Sequence, residues 1–563
     1  KPAPRPGFPI VHAVGNPSGV PDPIERVARE AFGFDGLRPG QREAIEAVLE
    51  GRDTLAVMST GSGKSAIYQI AGLLIEGATI VVSPLIALQR EQVDDLNAAR
   101  AGGAAQLNST VPAAEREAAM AELSEGVLEF LFLAPEQLAN PDVLGELAVT
   151  RPSLLVVDEA HCISEWGHDF RPEYLRLGAA REALGRPTVL ALTATAAPPV
   201  RAEIAERLGL RDPLLLVRGF DRPNLRLAVD RFHDKAHQRR ALLDAVADAE
   251  PGGIVYIATR RDSEEVAEDL AGRGLAAAAY HGGMRGPERA AVQERFMAGE
   301  LHAVVATTAF GMGVDKPDVR WVFHGAIPES LDSYYQEVGR GGRDGEPAEA
   351  RLFYRAEDLG LRRFFGGSGQ VEPDEIDAVL TVVEDSAHPV EPDRLRERTE
   401  LSQTKISTAV SRLEEAGAVL VLPTGEVAQT EQSPPHDEAV AEAARVEERR
   451  REVDRSRIDM MRGYAEAPGC RRAFVLSYFG EPFEAPCGNC DNCEAGRGEP
   501  AEPGPFALGS PVTHDEWGDG VVQRYEEGAV VVLFDEAGYR KLALDVVLER
   551  ELLTPKLPAD RAV

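Results

Sequence analysis

Long hydrophobic runs are missing from this chain. No stretch of about 18 uninterrupted apolar residues occurs, so no membrane-crossing helix and no membrane partner are expected. Cysteine is scarce: five in 563 residues, four of them between positions 470 and 493, which excludes a disulfide scaffold and points to a reducing compartment and a metal site. Basic charge is in deficit, with 61 Lys and Arg against 93 Asp and Glu and a formal net charge of −32. Nonspecific adhesion of the whole surface to polyanions is thereby excluded, and any grip on them must use local basic tracks. Residues 1–22 are rich in Pro and Gly and lack the apolar core of a secretory signal, so they read as a flexible arm. The chain opens on Lys1 rather than Met, and further sequence is expected ahead of it. What is present is ordinary globular composition, 44% hydrophobic and 27% charged, at a length that predicts three to five domains.

Short apolar runs alternate with amphipathic segments over residues 24–213: Thr54-Leu55-Ala56-Val57-Met58, Thr79-Ile80-Val81-Val82, Leu128-Glu129-Phe130-Leu131-Phe132, Leu154-Leu155-Val156-Val157 and Val189-Leu190-Ala191-Leu192. Such runs predict buried parallel strands between helices. The pattern restarts after Arg222 with Gly253-Ile254-Val255-Tyr256-Ile257, residues 276–280, Ala303-Val304-Val305-Ala306 and Trp321-Val322-Phe323, predicting a second α/β domain. Residues 376–383, 392–398 and 402–416 then read as helices, followed by two short strands at 418–422 and 426–428, the makings of a winged helix. A charged helix over 438–458 leads into the cysteine cluster, a Gly/Pro/Glu linker follows, and β-like runs from Pro505 predict a small separate barrel.

The first predicted strand runs into Met58-Ser59-Thr60-Gly61-Ser62-Gly63-Lys64-Ser65 and then a helix. Small residues there let backbone N–H groups close around phosphate, Lys64 can neutralise β/γ oxygens, and Ser65 can ligate magnesium. Met58 stands where the strict pattern has glycine, and a structural Gly-rich turn is the bland alternative. The fourth strand ends in Asp158-Glu159-Ala160-His161, at the sheet edge where ligands bind. Asp158 can hold magnesium and Glu159 can deprotonate water, against the alternative of a mere helix cap. The second domain supplies Gln336-Glu337-Val338-Gly339-Arg340-Gly341-Gly342-Arg343-Asp344, whose arginines can reach a γ-phosphate as arginine fingers do, unless they only solvate a surface. Cys470, Cys487, Cys490 and Cys493 are spaced to close a tetrahedral S₄ shell around a structural zinc, with an iron–sulfur cluster as the rival.

In this order the motifs resemble those of superfamily 2 helicases, and of the RecQ family in particular. The resemblance rests also on Phe34 with Arg38-Pro39-Gly40-Gln41, on Val82-Ser83-Pro84-Leu85-Ile86-Ala87-Leu88, on Ala134-Pro135-Glu136 and on Leu192-Thr193-Ala194-Thr195-Ala196. Further on lie Tyr280-His281-Gly282-Gly283 and Ala306-Thr307-Thr308-Ala309-Phe310-Gly311-Met312-Gly313. The loop Cys162-Ile163-Ser164-Glu165-Trp166-Gly167-His168-Asp169-Phe170-Arg171-Pro172 is the family's own mark, as are Cys470-Arg471-Arg472 and Tyr478-Phe479-Gly480 ahead of the last three cysteines. The resemblance implies two RecA-like ATPase domains, over 23–213 and 214–369. A winged helix over 370–433, a zinc-binding subdomain over 434–496 and a linker over 497–504 follow; residues 509–522 resemble the Tudor-like barrel that ends some superfamily 1 repair helicases, so 505–563 reads as such a barrel, a module for a protein partner or nucleic acid, with a stabilising cap as the alternative. A winged helix ahead of the zinc element resembles the bacterial RecQ-like subgroup called RqlH.

By the same resemblance ATP and Mg2+ are cofactors beside zinc. Arg38 and Gln41 would read adenine, and Thr60, Gly61, Ser62, Gly63, Lys64 and Ser65 would cradle phosphate, with Ser65 and Asp158 on magnesium. Lys64, Asp158, Glu159, His161, Gln336, Arg340 and Arg343 would be catalytic, and Thr193 and Thr195 would join His161 in coupling nucleotide state to domain movement. Ser83, Trp166, His168, Phe170, Arg171 and Thr307 would face nucleic acid, where aromatic rings can stack on bases, although Trp166 and Phe170 also suit a core. The family has Gln at the position of Glu165 and Ala at that of Gly341, so one polar contact is not expected here and the arginine loop should flex more. Lys405, Ser407 and Arg412 on the candidate recognition helix can touch phosphate, with packing against protein as the alternative.

The expected activity is that of an ATP-dependent DNA helicase moving 3′ to 5′ on a single strand, in repair or recombination. Single-stranded and tailed duplex DNA are its expected partners, joined by a protein partner on the barrel. The chain is expected to be monomeric and bacterial, cytoplasmic and nucleoid-associated. RNA as the track, and an ATP-gated binding platform that does not unwind, are the other readings.

Overall fold

A strand buried on both faces needs helices above and below it and a partner at each edge. The computed structural model describes residues 22–59, 61–108, 111–164, 171–311, 316–360, 370–422, 425–430, 432–481, 483–498, 504–526, 528–535 and 537–556. In it the strands β1 (Thr54–Met58), β2 (Thr79–Val82), β3 (Ala104–Leu107), β4 (Phe130–Leu133), β5 (Leu154–Val157), β6 (Thr188–Thr193) and β7 (Leu214–Arg218) form one sheet. Their order is β3-β4-β2-β5-β6-β1-β7, parallel throughout. All of β1, β2, β4 and β5 is buried. A parallel sheet whose order departs from chain order leaves crevices at the carboxyl ends of its central strands.

A second parallel sheet, β10-β11-β9-β12-β13-β8, uses β8 (Leu225–Phe232), β9 (Gly253–Tyr256), β10 (Ala277–Tyr280), β11 (Ala303–Ala306), β12 (Trp321–His324) and β13 (Ala348–Arg355). The two sheets belong to separate compact units that divide after Phe220. The expected seam after Pro213 is corrected by this division: β7 hydrogen-bonds along the whole of β1, so Leu214–Arg218 is the edge of the first sheet. The edge strands β3, β7, β8 and the neighbouring β13 are additions to the predicted set.

The rest of the second unit begins with the helices Pro373–Glu384, Pro392–Thr399 and Gln403–Glu415, each within a residue or three of its expected bounds. Proline at the first helical position and a Glu372/Glu375 capping box start the first of them. With β14 (Val419–Val421) and β15 (Val427–Gln429), an antiparallel pair, they enclose Ile376, Leu380, Leu395, Ile406 and Leu413. Ala439 and Ala443, from the start of the 31-residue helix His436–Glu466, close that core. The helix runs well past the expected 438–458 and carries the chain to the cysteines. Last come β16 (Pro511–His514), β17 (Gly518–Glu526), β18 (Ala529–Phe534), β19 (Gly538–Ala543) and β20 (Thr554–Pro555) in one antiparallel sheet around Val512, Val522, Val530, Val532 and Phe534. No helix among the described residues is long and apolar enough to cross a membrane.

Candidate active site

At the carboxyl end of β1 the chain turns through Gly61 and Gly63, at φ of 80° and 75°, before the helix Ser65–Leu74 begins. Only glycine takes those angles without cost, so the predicted phosphate loop is a conformational requirement as well as a motif. Lys64 Nζ donates to the carbonyls of Met58 at 3.0 Å and Ser59 at 3.3 Å. Arg38 and Gln41, expected at the adenine, are joined to this same loop. Arg38 Nη1 donates to the Gly61 carbonyl, and Gln41 Nε2 donates to the carbonyls of Ser62 at 3.1 Å and Gly63 at 2.8 Å. The buried Gln41 also accepts from the Arg38 amide at 2.7 Å, so the two hold each other while holding the loop. Thr60 lies outside the described residues.

On the far side of β6, β5 delivers Asp158 and Glu159. Glu159 sits at φ 47°, a left-handed conformation that a non-glycine residue keeps only where its surroundings enforce it. Tyr174 donates to the Asp158 carbonyl at 3.0 Å, and Ser83 donates to Asp158 Oδ2 at 3.4 Å. Ser83, expected to face nucleic acid, is therefore buried against the acidic pair. His161 Nδ1 lies 2.8 Å from Thr193 Oγ1 and 3.3 Å from Glu159 Oε2. Because the single Thr193 hydroxyl hydrogen goes to the Thr195 carbonyl at 3.0 Å, Thr193 can only accept from the ring, which assigns the imidazole proton to Nδ1. A hydrogen-bonded chain thus runs from His161 through Thr193 to Thr195, with the Glu159 carboxylate 3.3 Å from the ring at its head.

Burial, and after it the neighbouring Glu159 carboxylate, push the Asp158 carboxyl up to about 7, with Lys64 pulling the other way. A carboxylate so crowded suits a divalent cation, and the Asp158 carboxylate and Ser65 hydroxyl are the hard oxygen donors that magnesium prefers. Arg171 Nη1 reaches the Pro84 carbonyl at 3.4 Å. Trp166, His168 and Phe170 lie outside the described residues. Two residues that no motif flagged complete this edge: Tyr174 and Gln89, fully buried, whose Nε2 donates to the Ser83 carbonyl at 2.7 Å.

In the second unit the helix Leu331–Val338 carries Gln336 and ends in the glycine-rich turn bearing Arg340 and Arg343. Arg340 is 5% exposed, and its Nε has no hydrogen-bond partner among the described residues, an uncommon state for a guanidinium. A Cβ on Gly311 would stand 3.4 Å from Arg340 Nη2, which places the arginine beside the turn that follows β11. Thr307 opens that turn and accepts from the Ala309 amide at 3.4 Å. Tyr256, also unflagged, secures it by donating to the Phe310 carbonyl at 2.7 Å.

The four cysteines converge. Their sulfurs all lie within 4.8 Å of one another and none forms a disulfide. The Sγ atoms of Cys487 and Cys493 are 3.8 Å apart; tetrahedral thiolates at about 2.3 Å from zinc stand about 3.8 Å from each other. Sulfurs this close fit one ion and are too close for a cluster of several irons, whose ligands must stand further apart. Amides of Asn489 and Cys493 donate to the sulfurs of Cys487 and Cys490 at 3.4 and 3.5 Å, as in a metal knuckle.

Two parallel-sheet domains carrying a phosphate loop, an acidic pair with its histidine–threonine chain, and an arginine turn define a helicase core of superfamily 2. Residues 38–203 match the model of DEAD/DEAH box helicases, 237–345 that of the helicase conserved C-terminal domain and 431–494 that of RecQ zinc-binding domains. The chain is 35% identical over 474 residues to the probable ATP-dependent DNA helicase RecS of Bacillus subtilis, covering 84% of this chain and 92% of that protein. It is likewise 35% identical over 468 residues to the ATP-dependent DNA helicase RecQ of Pasteurella multocida, covering 83% of this chain but 61% of that one. The structure of the DUF1998 helicase MrfA bound to DNA is similar in fold, with a TM-score of 0.51 at 17% identity over 75% of this chain and 60% of that one. The chain belongs to the RecQ family of ATP-dependent DNA helicases.

Proposed function

We propose that this protein loads on single-stranded or tailed duplex DNA, translocates 3′ to 5′ at the expense of ATP, and unwinds duplex in repair or recombination. The observation that carries the reading is the chain from His161 through Thr193 to Thr195, with Glu159 3.3 Å from the ring and Lys64 acting on Asp158. Lys64 steadies the β- and γ-phosphates, and Glu159 takes the proton of the attacking water. Ser65 and Asp158 would hold magnesium, which would supply charge neutralisation to the phosphates. Arg340 and Arg343 stabilise the negative charge of the transition state, and the buried unpartnered Nε of Arg340 supports that assignment. Trp166, His168, Phe170, Arg171 and Thr307 contact the strand, and the threonine chain couples that contact to hydrolysis.

Residues 370–433 serve as a winged helix and 505–563 as a Tudor-like barrel that recruits a protein partner; zinc over 434–496 is structural. The protein works as a monomer in the bacterial cytoplasm, at the nucleoid. Measuring ATPase and unwinding on matched DNA and RNA substrates with either 3′ or 5′ tails tests the whole reading: stimulation by DNA and opening of the 3′-tailed DNA duplex are expected. Lys64→Ala should abolish both, and full unwinding by that variant would defeat the mechanism.

A further inference from the structure

The segment 221–225, between the two sheets in sequence, has hydrogen-bonding partners on two sides. Its side chains face the arginine turn. Arg222 Nη2 donates to the carbonyls of Gly341 at 2.8 Å and Gly342 at 2.9 Å, and its Nη1 to that of Gly339 at 3.3 Å. Asn224 Nδ2 donates to the carbonyls of Gly342 and Glu346, both at 2.8 Å. The arginine turn is thus held by four of its own carbonyls, although its glycines offer no side chain by which to hold it.

The backbone of the same segment faces the cysteine knuckle. Arg472, two residues after Cys470 and 6% exposed, donates to the carbonyls of Arg222 at 2.9 Å and Leu225 at 2.8 Å and lies 3.4 Å from the Asp221 carboxylate. Asn489, between Cys487 and Cys490, donates to the Pro223 carbonyl at 2.9 Å. Asp491 pairs with Arg471 at 2.5 and 2.9 Å and accepts the Val229 amide at 3.1 Å, and Glu494 takes Arg226 in a two-pronged pair at 2.8 and 2.6 Å. Every one of these knuckle residues sits within two positions of a cysteine. An ion held by the four sulfurs would therefore also fix the groups that hold 221–225.

We infer that Arg222 is a positioning residue for the arginine turn, and that the zinc knuckle sets the turn's geometry through Arg472, Asn489 and Arg222. The inference rests on the reading that Arg340 and Arg343 act on the phosphate. Misplacement of a reacting group by about 1 Å can cost on the order of 100-fold in rate, so a turn released from three carbonyl bonds should turn over slowly while still binding its ligands.

Arg222→Ala and Arg472→Ala, in the full chain, are expected to lower the kcat of DNA-stimulated ATP hydrolysis about 10- to 100-fold. The dissociation constants for nucleotide and for single-stranded DNA should stay within about twofold, and zinc content should be unchanged. Combining Arg222→Ala with Arg340→Ala should be no slower than Arg340→Ala alone. A second measurement needs neither ATP nor DNA: on removal of zinc with a chelator, amide exchange should accelerate about tenfold or more in peptides covering 219–226 and 336–347, while β9 and β11 stay protected. Full turnover by Arg222→Ala, or unchanged exchange of 336–347 after zinc release, overturns the inference. If Arg340→Ala itself hydrolyses ATP normally, the role of the turn is wrong, yet the exchange result still decides the linkage. Should Arg222→Ala fail to fold, Asn224→Ala reads the same turn through its bonds to Gly342 and Glu346.

Discussion

Arg412 lies on the helix Gln403–Glu415, where a DNA-reading role would turn it outward, but its side chain is 8% exposed and its Nε donates to Glu447 Oε2 at 2.8 Å. Glu447 is 6% exposed and has a second partner in Arg451 at 3.3 Å. Truncating Arg412 to alanine leaves the carboxylate in the interior with that weaker partner alone. Breaking a buried pair costs about 3–5 kcal/mol, and because Arg451 remains, the lower end applies, about 3 kcal/mol. At 1.4 kcal/mol per decade that is roughly a 100-fold shift in the equilibrium for opening this subdomain. Urea unfolding followed by exchange of the 373–447 peptides reads the shift directly. DNA affinity titrated against salt reads the alternative, since each phosphate contact contributes about 0.9 to the slope on duplex. An unchanged slope with reduced stability is expected. A slope reduced by about one, with stability intact, would refute the reasoning and restore Arg412 as a phosphate contact.

Two further outcomes follow from the sites described. Glu159→Gln should lower kcat about 10²- to 10⁴-fold while leaving the ATP-dependent grip on single-stranded DNA, measured by fluorescence anisotropy, in place. His436 starts its helix between Asp377 at 2.9 Å and Glu384 at 2.8 Å; those two hydrogen bonds raise its pKa above 6.5. The protonated ring is the one that binds, so the bridge stabilises fully below about pH 6.5 and is lost as pH rises through the raised value. Melting of the 373–447 region should fall over that range, and His436→Gln should flatten the dependence.

How much of this was legible beforehand depended on burial. β1, β2, β5, β9 and β11 are buried at every position and were readable as largely apolar runs, whereas β3 is Ala104-Ala105-Gln106-Leu107, without a β-branched residue, and sits at a sheet edge. β7 buries only Leu216 and follows Pro213, which reads as a boundary; only its pairing with β1 assigns it. The phosphate loop, the acidic pair and the cysteines carry spacing that the chemistry demands, and spacing is visible in one dimension. Tyr174 meets Asp158 and Gln89 meets Ser83 from other segments, and Arg222 meets the arginine turn from 117 residues away, so no local pattern could announce them. Arg412 and Lys405 show the converse. A basic residue on a candidate recognition helix looks like a nucleic-acid contact until its partners, Glu447 and Glu375, are in place.

The outermost strand of the second sheet, β8, does not end in open water. Leu227 forms a parallel bridge with Cys490, and the Val229 amide is taken by Asp491, so the knuckle plugs a sheet border that would otherwise offer unpaired peptide groups. Borders of that kind template pairing with other chains. Removing zinc should loosen the knuckle from this border, and self-association visible as light scattering is the expected outcome. Seen this way the knuckle is a guard against aggregation, and the cell that starves for zinc would meet its cost as insoluble protein.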